Sequence, residues 1–100
     1  MAIRHTRLTG EAPPLREALD ELLRAEGLSP RWWSNGAGDT YGRHRHEYHK
    51  VLYCQSGSIV FHTTEGDFGL SPGDRLDITP GTDHSATVGA NGVVCVEAAK

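Results

Sequence analysis

Past Pro30 the chain is cut into short pieces. Five turn-forming clusters follow one another closely: Gln55-Ser56-Gly57, Glu65-Gly66-Asp67, Ser71-Pro72-Gly73-Asp74, Thr79-Pro80-Gly81-Thr82 and Gly89-Ala90-Asn91-Gly92. The segments between them are too short for helices and rich in residues that suit a pleated surface. Strands are predicted over 31–34, 43–47, 49–55, 58–63, 67–70, 75–79, 84–88 and 92–98. Many short strands punctuated by Gly and Pro turns give a β-sandwich or a barrel. No helical period is visible after residue 27, and there is no internal repeat.

The one helical signal lies before this region. Leu15, Ala18, Leu19, Leu22 and Leu23 follow the i, i+3, i+4, i+7, i+8 spacing of a single apolar stripe, with Glu17, Asp20, Glu21 and Arg24 on the other side. Pro14 suits a first turn, Gly27 a C-terminal cap, and Pro30 stops continuation. Such a helix is expected to pack on the outside of the sheet or to form a subunit contact. Ahead of it, Ile3 and Leu8 fit a short edge strand or an unstructured arm. The expected organisation is one domain, with an arm and helix over 1–30 and the β-structure over 31–100.

One hundred residues leave room for one core. A net charge of −3, with Lys and Arg scattered, argues against a nucleic-acid surface or an anionic membrane. No apolar run reaches the roughly 20 residues of a membrane span, and the N-terminus lacks a signal-peptide core. A cytoplasmic protein is the expectation. Cys54 and Cys95 stand in strand-like runs, outside any CxxC pair, and read as buried thiols.

The chemistry concentrates in Tyr41 to Gly57, YGRHRHEYHKVLYCQSG. Residues two apart on a strand share a face, so His44 and His46 point together, with Tyr48 and Lys50 in the same phase. His49 points the other way unless a bulge resets the register. Two imidazoles on one face can share a metal ion at about 2.0–2.1 Å, and a third ligand from a neighbouring strand completes a facial set. His84, after the Pro80-Gly81 turn, is the candidate for it. His5 and His62 read as surface or packing residues. Tyr48 and Lys50 are candidates for a catalytic role, Tyr48 as proton donor or orienter. Trp32 and Trp33 face opposite sides of their strand, for packing or for a pocket wall. Asp74 and Arg75 read as pinning a tight turn.

Two spaced motifs make the chain resemble a small single-domain cupin. The first motif of that superfamily is G(X)5HXH(X)3-4E(X)6G, and Gly38, His44, His46 and Gly57 fall on it, with Lys50 where the glutamate belongs. The second is G(X)5PXG(X)2H(X)3N; Gly73, Gly81 and His84 match, while Thr79 and Val88 replace the proline and the asparagine. The similarity runs from about Trp32 to Glu97. It implies an all-β jelly-roll barrel, to which the N-terminal helix is an addition, a divalent transition metal held inside the mouth, and a homodimer. Carried over by position, His44, His46 and His84 are the implied ligands.

Lys50 is the departure, because an ammonium repels a metal ion. Four arrangements are open: a three-His centre; a fourth nitrogen from His49 through a bulge; Lys50 turned away to pair with an acid such as Glu47; or an anionic ligand bound without metal. Neutral nitrogens suit Zn, Fe, Ni or Cu comparably. They also leave the ion's positive charge undiminished, which favours a small anionic organic molecule. A metalloenzyme with dioxygenase, isomerase or lyase chemistry and a non-catalytic ligand- or metal-sensing domain both fit, since this fold hosts many functions.

Overall fold

The structure, a computed structural model, describes residues 2–7 and 13–100. Its elements in order are β1 (Ile3–Arg7), α1 (Arg16–Ala25), β2 (Arg31–Asn35), β3 (Thr40–His44), β4 (Lys50–Thr63), β5 (Gly66–Leu70), β6 (Asp74–Ile78) and β7 (His84–Ala99). All strand pairs are antiparallel.

Two long strands organise the molecule. The first part of β4, Lys50–Cys54, lies between β6 and the end of β7, with β1 beyond β6 and β2 beyond β7. Its last part, Ile59–Thr63, lies between β5 and the start of β7, with β3 outermost. One continuous ladder thus serves two walls, and it turns between them through register shifts at Cys54/Ser56 and Gly57/Ile59. Sequence reading places turns at 55–57 and 89–92; the structure places bends within strands there. The reason is a close approach of the two paired backbones. Gly57 and Gly92 both have φ near +75° (73° and 75°), and a Cβ on Gly57 would lie 2.0 Å from the Gly92 carbonyl oxygen. Glycine both reaches this conformation without strain and lets the two strands close.

The walls enclose one core. Ile3, Leu52, Cys54, Leu76 and Ile78 come from the first wall and Ile59, Phe61, Leu70, Ala86 and Val88 from the second. β1 therefore is no loose arm: Ile3 pairs with Ile78 and is buried. Leu8 lies outside the described residues. Cys54 and Cys95 are register partners, buried free thiols, and the adjoining Cys54 thiol, together with burial, pushes Cys95 up.

A second apolar cluster lies on the outer face, where Leu19 and Leu23 of α1 pack on Val51, Tyr53, Val96 and Ala98. Each buried leucine contributes about 1.5–3 kcal/mol relative to exposure. The rest of the expected stripe does not reach the sheet: Leu15, Ala18 and Leu22 are exposed. A ten-residue helix crossing a twisted sheet buries only two successive turns of one edge of its stripe. Its end is fixed as the sequence predicts. Gly27 N–H donates to Arg24 O (2.9 Å) and Leu28 N–H to Leu23 O (3.0 Å), a Schellman closure with Gly27 at φ 79°. Trp32 locks the helix from the sheet side, its Nε1 donating to Asp20 Oδ1 at 2.8 Å under the Arg16 guanidinium.

Candidate metal centre

The segment Arg43-His44-Arg45-His46 alternates, and both phases are used. Arg43 and Arg45 point outward and clamp Asp83 at 3.0 and 2.9 Å. Such exposed pairs add little stability, but they tie this segment to the residue before His84. His44 and His46 point inward. His44 lies directly across the ladder from His84. His46 is carried two residues past the end of β3 and is held by its carbonyl, which accepts from Gly81 N–H at 2.8 Å. The Pro80-Gly81 turn thereby positions both His46 and His84.

The three rings meet. Their centroids are 4.9 Å (His44–His46), 4.2 Å (His44–His84) and 5.2 Å (His46–His84) apart, and one nitrogen from each lies within 4.8 Å of the others. The tautomers follow from the hydrogen bonds. His44 Nδ1 contacts Gly42 O at 2.7 Å and His84 Nδ1 contacts Thr82 O at 2.9 Å. A carbonyl oxygen only accepts, so each Nδ1 carries the proton and each Nε2 keeps its lone pair. The Nε2 atoms of His46 and His84 are buried and have no hydrogen-bond partner among the described residues. Burial, reinforced by the neighbouring charge of Lys50 and by His44, pushes His46 below the usual histidine range. Burial also lowers His84, against the pull of its bond to Thr82. Neutral imidazoles with orphaned, converging lone pairs are the donor set a divalent transition metal takes, and buried polar atoms left unpaired otherwise cost free energy.

His44 and His46 open on a cavity of about 270 Å³ that is also lined by Trp33, Tyr41, Lys50, Phe61, Ala86 and Glu97. Its walls are largely aromatic. Trp33 thus combines packing with lining the pocket, while Trp32 packs on the helix. Tyr41 hydroxyl donates to Asn35 Oδ1. Tyr48 lies against His46, ring centroids 5.0 Å apart.

Lys50 is buried in this cavity, its Nζ 3.3 Å from Glu97 Oε1. It pairs across to β7, and the acid is Glu97 where sequence reading suggests Glu47, which is exposed. Glu97 escapes sequence reasoning. The signal was present: one carboxylate in phase with Cys95 in an otherwise apolar strand, and hence inward-facing.

His49 is not brought to the other three. No bulge turns it inward; Lys50 opens β4 in the phase of Leu52, leaving His49 on the opposite face. There its Nε2 meets Asp77 Oδ1 at 2.9 Å. Arg75 donates from Nε to Asp77 Oδ2 (2.9 Å) and from Nη1 to Tyr53 hydroxyl (3.0 Å), and pairs with Glu26 at the end of α1. This network lines a separate outer cavity of about 530 Å³ with Arg4 and Lys100. The turn-pinning role falls to Asp74 alone, whose Oδ2 accepts from Ser71 N–H at 3.0 Å. His5 contacts Asp74, and His62 contacts Asp67 and Thr87.

The profile of the AraC-like ligand binding domain matches residues 34–95, well over half of the chain. The chain belongs to that family. It is a small cupin-superfamily domain with a jelly-roll fold, and solved structures agree. A cupin superfamily protein from Desulfitobacterium hafniense aligns with TM-score 0.65 at 11% identity, over 97% of this chain and 75% of its own. A DUF861 family protein from Thermotoga maritima aligns with TM-score 0.64 at 17% identity, over 95% and 96%. A DMSP lyase from Ruegeria pomeroyi aligns with TM-score 0.67 at 19% identity, over 73% of this chain. The cupin domain spans only 37% and 38% of the chains of the two DMSP lyase structures it matches. At such identities the likeness is one of fold. No curated protein matches the chain in sequence. Among the described residues no helix is long and apolar enough to cross a membrane.

Proposed function

We propose that this cupin domain binds a divalent transition metal through His44, His46 and His84 and, beside it, a compact anionic organic molecule. The observation that carries the reading is the pair of buried, partnerless Nε2 atoms of His46 and His84, aimed with His44 at a common point. Family membership supports a small-molecule ligand. At about 270 Å³ the cavity falls just below the ~300–1,000 Å³ of ordinary ligand sites, so the ligand is small. Trp33, Tyr41 and Phe61 give it an apolar wall, and the Lys50–Glu97 ion pair gives it a polar corner without net charge, so that the attraction for an anion would come from the metal. The metal would add Lewis acidity toward a carbonyl or carboxylate oxygen. Zn, Fe, Ni and Cu all suit three imidazoles.

A second reading, in which the bound molecule is also transformed, is favoured by Tyr48 beside His46. Its hydroxyl is a proton donor of the kind dioxygenase, isomerase or lyase chemistry uses.

Elemental analysis of the purified protein tests the first reading. About one equivalent of metal is expected, and its loss in His46→Ala and His84→Ala; full metal content in both variants would overturn the assignment. Incubation with a panel of small carboxylates and 1,3-diketones separates the two readings. Metal-dependent turnover supports catalysis, and binding that returns the ligand unchanged supports sensing.

A further inference from the structure

Lys50 sets this site a problem that the histidines do not solve. Its side chain is only 9% exposed and it shares a cavity with His44 and His46. Three neutral imidazoles contribute no negative charge, so a dication entering their centre meets a buried cation with nothing on the ligands to offset it. At protein dielectric such a repulsion is not screened as it is at the surface.

The geometry points to Glu97 as the residue that makes the metal centre electrically tolerable: it cancels Lys50 from across the ladder and so sets the affinity of the three-His site. Glu97 reaches inward from β7, opposite Leu52, and its carboxylate lies 3.3 Å from Lys50 Nζ. It lines the same cavity. It is not one of the group that meets there: among the described residues, the cluster whose ligand atoms lie within 4.8 Å of one another is His44, His46 and His84. Among the described residues it is the one acid paired with Lys50. Glu97 is therefore a positioning residue: it acts on the metal through Lys50. With the pair intact, the site's fixed charge sums to zero and the ion brings its own. With Glu97 neutralised, the site carries an uncompensated cation.

This inference rests on the metal reading above, and a double-mutant cycle on Zn(II) affinity separates the two. Zn(II) dissociation constants are measured by chelator competition for the wild type, Glu97→Gln, Lys50→Met and the double variant, with His84→Ala as control. Glu97→Gln is expected to weaken binding at least about tenfold, equivalent to 1.4 kcal/mol. Lys50→Met is expected to bind at least as tightly as the wild type. Adding Lys50→Met to Glu97→Gln should restore affinity to within about threefold of Lys50→Met alone, because no buried cation then remains to be offset. Unchanged affinity in Glu97→Gln overturns the proposal. Equal weakness in Glu97→Gln and the double variant also overturns it, because Glu97 would then act independently of Lys50. If the wild type binds no Zn(II), or His84→Ala binds it as well as the wild type, the metal reading fails and this inference with it. Should Glu97→Gln fail to fold, the double variant Lys50→Met/Glu97→Gln, whose charge sum is also zero, carries the test alone. It is expected to bind no more weakly than the wild type, and a loss of about tenfold there would refute the proposal.

Discussion

His46 and His49 stand three positions apart and face opposite sides of the same sheet, and they meet opposite fates. His49 enters a network in which every charge has a partner: Asp77, then Arg75, then Glu26 at the end of the helix. His46 enters a cavity where its Nε2 and that of His84 have none. The outer cluster is arranged as stabilising ion networks are, with its hydrogen bonds closed on themselves. The inner cluster leaves lone pairs open at an energetic cost, which a bound metal would recover. Histidine content says nothing about a site; the partners a fold withholds from the histidines say a good deal.

The contrast can be broken most forcefully from the inside. His84→Ala should weaken Zn(II) binding at least about 100-fold, since loss of even an outer partner of a metal ligand typically costs 10–100-fold. Competition titration measures this, and the same titration should show no change for Asp77→Ala. For Asp77→Ala the effect belongs to stability. Its carboxylate is buried and joins Arg75 to His49, so its removal should cost about 1–3 kcal/mol in urea unfolding. His49→Ala should cost less, about 1 kcal/mol or under, and leave metal content intact.

Acid sharpens the same comparison. Burial alone would raise Asp77, but hydrogen bonds from Arg75 and His49 outweigh it and hold the carboxyl below its ordinary 3.8. Glu26, hydrogen-bonded to Arg75, is likewise held below its ordinary 4.5. The unfolded chain therefore takes up these protons at higher pH than the folded one. Their stabilisation is complete above the unfolded values and is lost as pH falls through the folded ones. Unfolding free energy measured below about pH 4.5 should accordingly fall less steeply in Asp77→Asn than in the wild type.

Much of this was legible in the sequence. The HXH pair announced its own geometry, because period two on a strand is a local property, and His84 was marked by the glycine turn before it. The same parity rule placed His49 on the far side. What escaped was long-range. Gly57 and Gly92 look like turn residues, and only their meeting 35 positions apart shows them to be where two paired strands bend in close contact. Glu97 was hidden for the same reason: its partner Lys50 is fixed by a ladder register that neither strand declares alone. Leu15 and Leu22 fit the helical stripe perfectly well, but the sheet beneath α1 receives only Leu19 and Leu23.

Metal binding by His44, His46 and His84 requires three particular ring nitrogens to meet one ion. Long-range ¹H–¹⁵N spectra of the six histidines during Zn(II) addition test it directly. One equivalent should move the Nε2 resonances of His44, His46 and His84 to metal-bound values, with Nδ1 remaining protonated in His44 and His84, and leave His5, His49 and His62 in place. An unmoved trio, or metal-bound signals from His49 or His62 instead, would contradict the account.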